Sequence, residues 1–248
     1  MRMFSLSPSY LQIFALLLFL SCMSCSTDQL DQNGTLQDAL RDREPVLDNV
    51  IACAASNEND DLVSVFLYPR DGASDLKYFE SLNADIDKNN FEEYVRGEAP
   101  LVDVFNGYLK KFEVSVSDEK WVIVSFEEDG ETHLSNPIRL KQQTKPTEYL
   151  PQNVTIDTTD ASMPRFTWHD GSYSDTKIYF EVVSDANNDL LSGTYTLERQ
   201  FQYYDLDNVV LNITKGTPSP LKEAESHKFT LLGVSEDNWV NLWAEVDF

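Results

Sequence analysis

Short runs of apolar and β-branched residues, each bounded by turn-forming residues, repeat along most of this chain. After Pro151 no stretch keeps the apolar period of a helix over several turns, so the pattern favours strands. Turn signals such as Asp170-Gly171 separate the runs. Seven strands are predicted in this half of the chain, at 154–156, 165–168, 177–183, 190–198, 209–213, 228–234 and 239–248.

The first half repeats the β pattern less regularly. The run 62–68 is rich in β-forming residues, whereas 83–100 is polar and predicts a long loop with one helical turn. The spacing of apolar residues in 46–55 fits both a helix and a strand, and the strands that follow favour a strand. Thr35, with Asp38 three residues later, predicts the N-cap of a short helix that runs towards residue 44. Further strands are predicted at 76–80, 108–116, 120–126 and 137–141.

The N-terminus combines a positive residue, Arg2, with an unbroken apolar run at 13–20. A bilayer span takes about 20 apolar residues, so this run has the length of a secretory signal instead. The Ser21-Cys22 pair that follows resembles the bacterial lipobox, in which the cysteine after the cleavage site receives acyl chains. The resemblance implies attachment to a membrane through covalent lipid on Cys22, with Cys25 as the alternative. An ordinary signal peptide, cleaved slightly further on, is the other interpretation.

Acidic residues far outnumber basic ones, because 42 Asp and Glu against 19 Lys and Arg give a formal net charge of −23. Such a chain would repel nucleic acid and an anionic bilayer surface, so we expect neither as a partner. Attachment to a membrane would therefore depend on the lipid. Acidic residues just after a lipid-bearing cysteine are common in envelope lipoproteins sent onwards, so the resemblance implies an outer-membrane location, facing the periplasm or the surface.

A break in the pattern at 143–151, which contains Pro146 and Pro151, is typical of a short and fairly stiff linker. Without a signal peptide, about 225 residues remain, enough for two domains of ordinary size. The predicted organisation is a signal peptide (1–21), a lipid-anchored tether with a short helix (22–45), a β-sandwich-like domain (46–144), a linker (145–151) and a second β-sandwich domain (152–248).

Two features of the second half resemble the fibronectin type III family. Trp168 stands in the predicted second strand, where that family has a core tryptophan. Leu221 precedes His227 by the spacing of the family's corner leucine and tyrosine, and the imidazole could donate the corner hydrogen bond. The resemblance implies an all-β chain with two immunoglobulin-like sandwiches in tandem. Such modules usually serve as spacers or binding platforms, although a fold alone does not determine a function.

Catalytic chemistry has little support in this sequence. His133, His169 and His227 lie far apart, and no nucleophile elbow, zinc-protease helix or phosphate loop occurs. Adjacent strand residues point to opposite faces, so His169 is expected to point outwards beside Trp168. Acidic pairs are unavoidable in so acidic a chain, and none stands out as a glycosidase pair. We therefore predict no catalytic residue, no cofactor and no nucleotide ligand.

One segment has some features of a calcium loop. Asp185, Asn187 and Asp189 place oxygen ligands at alternate positions, but Leu190 and Thr196 stand where such a loop has glycine and glutamate. A hairpin turn, in which Asn and Asp are used for their tolerance of positive φ, is the preferred interpretation.

The aromatic residues most open to a binding role are Trp239, Trp243, Tyr203 and Tyr204. Alternation along the last strand places both tryptophans on one face and apolar residues on the other, yet only one face of a sheet in a two-layer sandwich is core. The tryptophan face is therefore either a platform for stacking sugars or a surface packed against the first domain. Packing is the preferred interpretation.

Together these features predict a lipid-anchored protein of the bacterial envelope with a non-catalytic binding or interaction role towards a glycan or a protein. The alternatives are a structural spacer or assembly subunit of an envelope complex and, with less support, an enzyme that hydrolyses carbohydrate or peptide.

Overall fold

The computed structural model of this chain describes residues 34–41, 43–222 and 224–248. The predicted signal peptide and both candidate lipid-bearing cysteines, Cys22 and Cys25, lie outside the described residues. Within that part the chain is almost entirely β-structure, which confirms the predicted all-β class. No helix among the described residues is long and apolar enough to cross a membrane.

Regular structure in the described residues consists of one short α-helix, nineteen strands and two 3-10 turns, at Phe91–Glu93 and Pro151–Asn153. In chain order the elements are α1 (Leu36–Leu40), β1 (Val46–Val50), β2 (Ala52–Ser56), β3 (Leu62–Leu67), β4 (Ser74–Ser81), β5 (Tyr94–Arg96), β6 (Leu101–Val104), β7 (Leu109–Ser115), β8 (Lys120–Glu128), β9 (Glu131–Ser135), β10 (Ile138–Leu140), β11 (Glu148–Tyr149), β12 (Val154–Asp157), β13 (Arg165–Trp168), β14 (Thr176–Asp185), β15 (Leu190–Thr196), β16 (Gln200–Gln202), β17 (Val209–Asn212), β18 (His227–Ser235) and β19 (Val240–Asp247).

The first sandwich pairs two sheets of unequal width. Outer sheet 1 has the order β1-β9-β8-β4-β5, with β10 also paired to β8, and inner sheet 1 has the order β2-β3-β7-β6. The segment 46–55 is extended, and a break at Ile51 sends β1 to one sheet and β2 to the other. Pro137 lies between β9 and β10, where its missing N–H interrupts pairing with β8. Apolar side chains of both sheets, including Val65 and Val124, fill the space between them.

The second sandwich contains all seven strands predicted for it. Inner sheet 2 has the order β11-β19-β18-β14-β15-β17, and outer sheet 2 has the order β12-β13-β16. Trp168 is 2% exposed in the core between these sheets, with ring centroids 5.3 Å from Tyr179 and 6.2 Å from Phe229. The tryptophan that the sequence predicts in the core of this sandwich is therefore in place.

The corner of the second sandwich differs from the prediction. Tyr203, which follows β16, is fully buried and its hydroxyl donates to the backbone carbonyl of Ser219 at 2.7 Å. The ring of His227 instead packs against Phe248, with centroids 5.6 Å apart. Tyr203, which follows β16, thus makes the corner hydrogen bond that the sequence predicts for His227.

The two inner sheets pack face to face, so that four sheets form successive layers. A cluster of buried residues between them, which we term the interdomain core, belongs to both sandwiches. Two domains that follow one another in sequence therefore lie side by side in space. The interdomain core consists of Ala55, Phe66, Phe105, Leu109, Phe180, Val182, Ile213, Leu232, Val234 and Val240.

The free face of outer sheet 1 is covered by α1 and by the loop that leads into β5. Thr35 and Asp38 form a reciprocal capping box at the start of α1, as the sequence predicts. The helix ends at Leu40, earlier than predicted, because Arg41 adopts the left-handed conformation (φ 46°). Leu36 and Leu40 are buried against Phe79 and its neighbours in this sheet.

Candidate functional site

A groove of about 410 Å³ opens where the two inner sheets meet at one end of the interdomain core. We term it the intersheet groove. Its volume lies within the range of ligand-binding clefts, about 300–1,000 Å³. The first sandwich contributes the β2–β3 turn and one face of β3 and β7, and the second contributes β11 and β19. The side chains that define it are Glu58, Asp60, Phe66, Lys111, Tyr149, Trp243 and Glu245.

The groove exists because one face of inner sheet 1 changes from apolar to polar along its length. Phe66 pairs with Lys111 across strands, and Ser64, two residues earlier on the same face, pairs with Glu113. Phe66 belongs to the interdomain core. Ser64, Lys111 and Glu113 instead form polar contacts with one another and stop the apolar contact between the sheets. The change from apolar to polar residues along β3 and β7 thus sets where packing between the two inner sheets ends and the groove begins.

Aromatic rings form one wall of the intersheet groove. The half-buried ring of Trp243 lies with its centroid 5.5 Å from that of Phe66 and 6.1 Å from that of Tyr149. The hydroxyl of Tyr149 donates to the carbonyl of Ser56 at 2.7 Å, which fixes this ring against the first sandwich. The indole N–H of Trp243 has no hydrogen-bond partner among the described residues. The fold itself therefore leaves this donor unsatisfied.

The opposite wall is a connected polar network. The hydroxyl of Ser64 donates to the Asn57 side-chain carbonyl at 2.7 Å, and the Asn57 amide donates to Glu113 at 3.2 Å. The Lys111 ammonium group donates to the Ser64 hydroxyl at 3.1 Å and forms an ion pair with Glu113. Because each group holds its neighbour, the polar wall is preorganised before any ligand arrives.

Carboxylates dominate the electrostatics of the groove. Burial raises the pKa of the Tyr149 hydroxyl, and the negative charges of Glu58, Glu245, Asp60 and Glu113 raise it further. Four carboxylates therefore act on one aromatic side chain at the groove wall. An anionic ligand would meet the same repulsion, whereas a neutral or cationic ligand would not.

Trp239 does not lie on a binding surface. It precedes β19 and inserts into the core of the first sandwich with 0% exposure, and its indole N–H donates to the Lys145 carbonyl at 2.7 Å. The backbone of Ala54 donates to the Asn238 carbonyl beside it at 3.0 Å. A fully enclosed ring cannot stack on a sugar, so this candidate binding residue is corrected to an interdomain packing residue. Packing, the preferred interpretation of the tryptophan face, thus holds for Trp239.

Tyr203 and Tyr204 also separate into a core and a surface residue. Tyr203 is fully buried, because its ring packs in the core of the second sandwich. Its hydroxyl donates to the Ser219 carbonyl at the corner of that sandwich. Tyr204 is 40% exposed and has a left-handed backbone (φ 74°), but it lies outside the intersheet groove. Neither residue joins Trp243 in one aromatic surface.

The candidate calcium segment forms the hairpin turn between β14 and β15. The Asp185 carboxylate accepts the backbone N–H groups of Asn187 at 2.9 Å and of Asp189 at 2.8 Å, and these bonds lower the pKa of Asp185. Asn188 has positive φ (66°), which is the use of Asn that the hairpin interpretation expects. The Asp189 carboxylate accepts from Asn106 of the first sandwich at 2.7 Å. In the described part of the chain, no three His, Cys, Asp or Glu side chains are arranged to hold a metal ion.

The histidines lie in separate environments. His133 is buried on outer sheet 1, where its ring contacts Asn49 at 3.1 Å. His169 is exposed, as predicted, and the neighbouring Asp170 carboxylate accepts the Tyr179 hydroxyl at 2.6 Å and pairs with Arg199. His169 and Asp170 are adjacent in sequence, but the first is exposed to solvent and the second takes part in a structural hydrogen bond.

Sequence reasoning missed most residues of the intersheet groove. Tyr149 lies within the predicted linker, yet it forms β11 beside β19 and contacts both sandwiches. Phe66 and Lys111 were assigned to ordinary strands. The sequence contains one signal for Trp243. The last strand has apolar residues on both faces, although a two-layer sandwich buries only one face of each sheet, so the second face must form a further contact surface. No comparable signal in the sequence brings Glu58 or Glu245 to the same place.

Comparison with known proteins gives structural likenesses only. No protein-family model matches the sequence, and no curated protein sequence is similar to it. Among solved structures, the FN1–FN3 domains of chicken CNTN1 are 14% identical, over 82% of this chain and 67% of that chain, with a TM-score of 0.30. A cytokine receptor complex in crystal form 1A is 11% identical over 80% of this chain and 95% of that chain, with a TM-score of 0.30. Its crystal form 2 is 12% identical over 78% and 99%, with a TM-score of 0.28.

Proposed function

We propose that this chain is a lipid-anchored protein of the bacterial envelope that binds a glycan or a protein ligand in the intersheet groove without catalysing a reaction. Covalent lipid on Cys22, or alternatively on Cys25, would supply the membrane attachment, and the outer membrane is the proposed location. The sequence around Ser21-Cys22 supports the anchor. The groove supports the binding role.

One observation carries the binding role: the intersheet groove joins a half-exposed aromatic wall to a preorganised polar wall. Trp243 offers a ring face and an unpaired indole N–H, and the network around Ser64 fixes polar groups opposite. Binding sites for small ligands and chain segments combine apolar surface with a few fixed polar groups in this way. Two other clefts, of about 200 Å³ beside α1 and about 260 Å³ beside β16, are smaller and have no tryptophan or tyrosine in their lining.

Blocking the groove with added bulk tests this role. Asn59 is exposed in the β2–β3 turn at the groove, so Asn59→Trp should obstruct it without disturbing either core. Asn89→Trp, in the exposed loop over outer sheet 1, is the matched control. We expect envelope proteins or glycans retained by the wild-type protein and by Asn89→Trp to be lost with Asn59→Trp. Equal retention by all three proteins, or no retention by any, would contradict the proposed site.

Membrane fractionation of cells expressing Cys22→Ala tests the anchor. We expect the protein to move from the membrane to the soluble fraction, since the acidic body has no electrostatic attraction to anionic lipid. Loss of anchoring only with Cys25→Ala would identify Cys25 as the modified residue. Unchanged fractionation of both variants would show that no lipid anchor exists.

A structural spacer is the second candidate, and the contact between the sandwiches favours it. Trp239, which precedes β19 of the second sandwich, packs in the core of the first sandwich. Asp237, two residues earlier, forms an ion pair with Lys141 of the first sandwich at 2.5 Å. At the far end the Tyr108 hydroxyl donates to the Ile213 carbonyl at 2.5 Å. Two sandwiches joined at both ends of their interface would hold a fixed distance from the membrane.

A further inference from the structure

The charge and shape of the intersheet groove indicate which ligand it takes, on the condition that it is a binding site as proposed above. We propose that the groove receives a lysine or arginine side chain from an extended basic segment of a protein partner. The inference rests on three observations: uncompensated carboxylates, an aromatic wall beside them, and an ammonium group of the chain itself held between the same two kinds of surface.

Cations of the chain balance only some of the carboxylates at the groove. Lys111 forms an ion pair with Glu113, and Lys228 lies 3.4 Å from Glu245. Glu58 and Asp60 have no ion-pair partner among the described residues, and both are exposed at the rim. The groove therefore has negative charge available to a ligand, and a positive group would complement it.

Trp243 and Tyr149 provide surface for the rest of a basic side chain. Lysine and arginine carry long apolar stems that pack on aromatic rings while the charged end remains hydrated or paired. Their cationic ends are also attracted to the faces of aromatic rings. The unpaired indole N–H of Trp243 could in addition donate to a backbone carbonyl of an extended segment.

Within the groove, the chain's own Lys111 already lies between an aromatic ring and a carboxylate, as we propose for the side chain of the partner. Its ammonium nitrogen lies 5.8 Å from the centroid of the Phe66 ring and is paired with Glu113. The chain thus holds one ammonium group between an aromatic face and a carboxylate. Trp243, Tyr149, Glu58 and Glu245 repeat the same combination along the groove, where no side chain of the described residues occupies it.

The groove is an open cleft and not an enclosed cavity, which suits a segment of chain better than an enclosed small molecule. It also lies between two sandwiches, so its walls come from elements far apart in sequence and a ligand would contact both. A protein segment is therefore favoured over a single amine or an amino sugar. These other sources of positive charge become outcomes of the test.

The test measures binding of immobilised glycine–serine peptides that carry lysine, arginine, glutamate or no charged residue, at physiological salt. The wild-type protein is compared with Glu58→Gln/Glu245→Gln and with a control of equal charge change, Glu92→Gln/Glu93→Gln, whose exposed residues lie over outer sheet 1. The NMR signal of the Trp243 indole N–H, assigned by its loss in Trp243→Phe, reports whether the groove is occupied.

We expect lysine and arginine peptides to bind and to shift the Trp243 signal, and the groove variant to bind about tenfold more weakly than the control variant. Equal weakening in both variants would show general attraction to an acidic protein and would overturn the inference. If uncharged peptides, chito-oligosaccharides or free glucosamine shift the signal as strongly as the basic peptides, the groove binds ligands but the basic-segment inference is wrong. If none of these probes moves the Trp243 signal, both the inference and the proposed binding role are wrong.

Discussion

The sandwich interiors and the intersheet groove use the same residue types in opposite ways. Trp239 and Trp243 lie four positions apart, yet the first is fully buried in the first sandwich, whereas the second lines the groove and its indole N–H has no partner among the described residues. Glu181 and Glu58 differ likewise, since one carboxyl is enclosed by the second core and the other is exposed. Residue type alone therefore does not reveal function here; the surroundings of each side chain decide it.

The largest difference is expected between the two tryptophans. Trp239→Ala should lower the free energy of unfolding by about 3–5 kcal/mol, because it opens a cavity where both sandwiches meet. Trp243→Ala should lower the free energy of unfolding by only about 1–2 kcal/mol, because the Trp243 ring is only partly buried. Urea unfolding followed by circular dichroism measures both. Equal losses of unfolding free energy in the two variants would contradict the assignment of Trp239 to packing and of Trp243 to the groove.

The second contrast concerns the buried carboxyl. Glu181 lies in β14 with 0% exposure, and burial raises its pKa well above the ordinary value despite hydrogen bonds from Thr196 (2.7 Å) and Thr194 (3.4 Å). The folded state therefore holds a proton that the unfolded state releases, so stability falls as pH rises from the ordinary pKa of about 4.5 towards the raised one.

Glu181→Gln should remove that loss. We expect unfolding free energies equal to wild type near pH 4 and a gain for the variant that grows as pH rises to neutrality and above. Urea titrations of the wild-type protein and the variant across this pH range check the prediction. A Glu181→Gln variant that loses stability relative to wild type as the pH rises would show that the carboxyl serves as a charged group.

A smaller loss of stability is expected from the ion pair that holds the turn between β18 and β19 against the first sandwich. Asp237 pairs with Lys141 of the first sandwich at 2.5 Å, and both side chains are mostly buried. Asp237→Asn should lower the free energy of unfolding by about 1 kcal/mol, since it keeps the side-chain volume and loses the charge. The exposed pair Lys222–Glu225 offers a control, for which Glu225→Gln should change stability by a few tenths of a kcal/mol at most. Comparable losses would show that the interdomain ion pair has no special role.

Much of the fold could be predicted because alternation and turn residues report directly on strands. Trp168, the seven strands of the second sandwich and the capping box at Thr35 follow from local signals. β9 and β16 were missed because Glu131–Ser135 is mostly polar and Gln200–Gln202 is only three residues long. Their strand state depends on the neighbours they pair with, which local sequence does not report.

The groove could be predicted far less well, because it is a property of two sheets and not of one segment. Alternation predicts Trp239 and Trp243 on one face, but their surroundings depend on what each meets in the first sandwich, which is β2 for Trp239 and Phe66 of β3 for Trp243. Tyr149 was hidden in a proline-bounded segment that resembles a linker and nevertheless pairs with β19. Contacts between residues such as Ser56 and Thr147, 91 positions apart, have no local signature.

Hydrogen exchange at the tryptophan indoles tests the central contrast most directly. The Trp239 N–H is buried and bonded to the Lys145 carbonyl, so its exchange should require opening of the contact between the sandwiches. The Trp243 N–H has no hydrogen-bond partner in the described part of the chain and should exchange far faster under the same conditions. Slow exchange at Trp239 together with fast exchange at Trp243 is the predicted result. Fast exchange at both would show that the sandwiches do not stay packed, and slow exchange at both would show that the groove is closed.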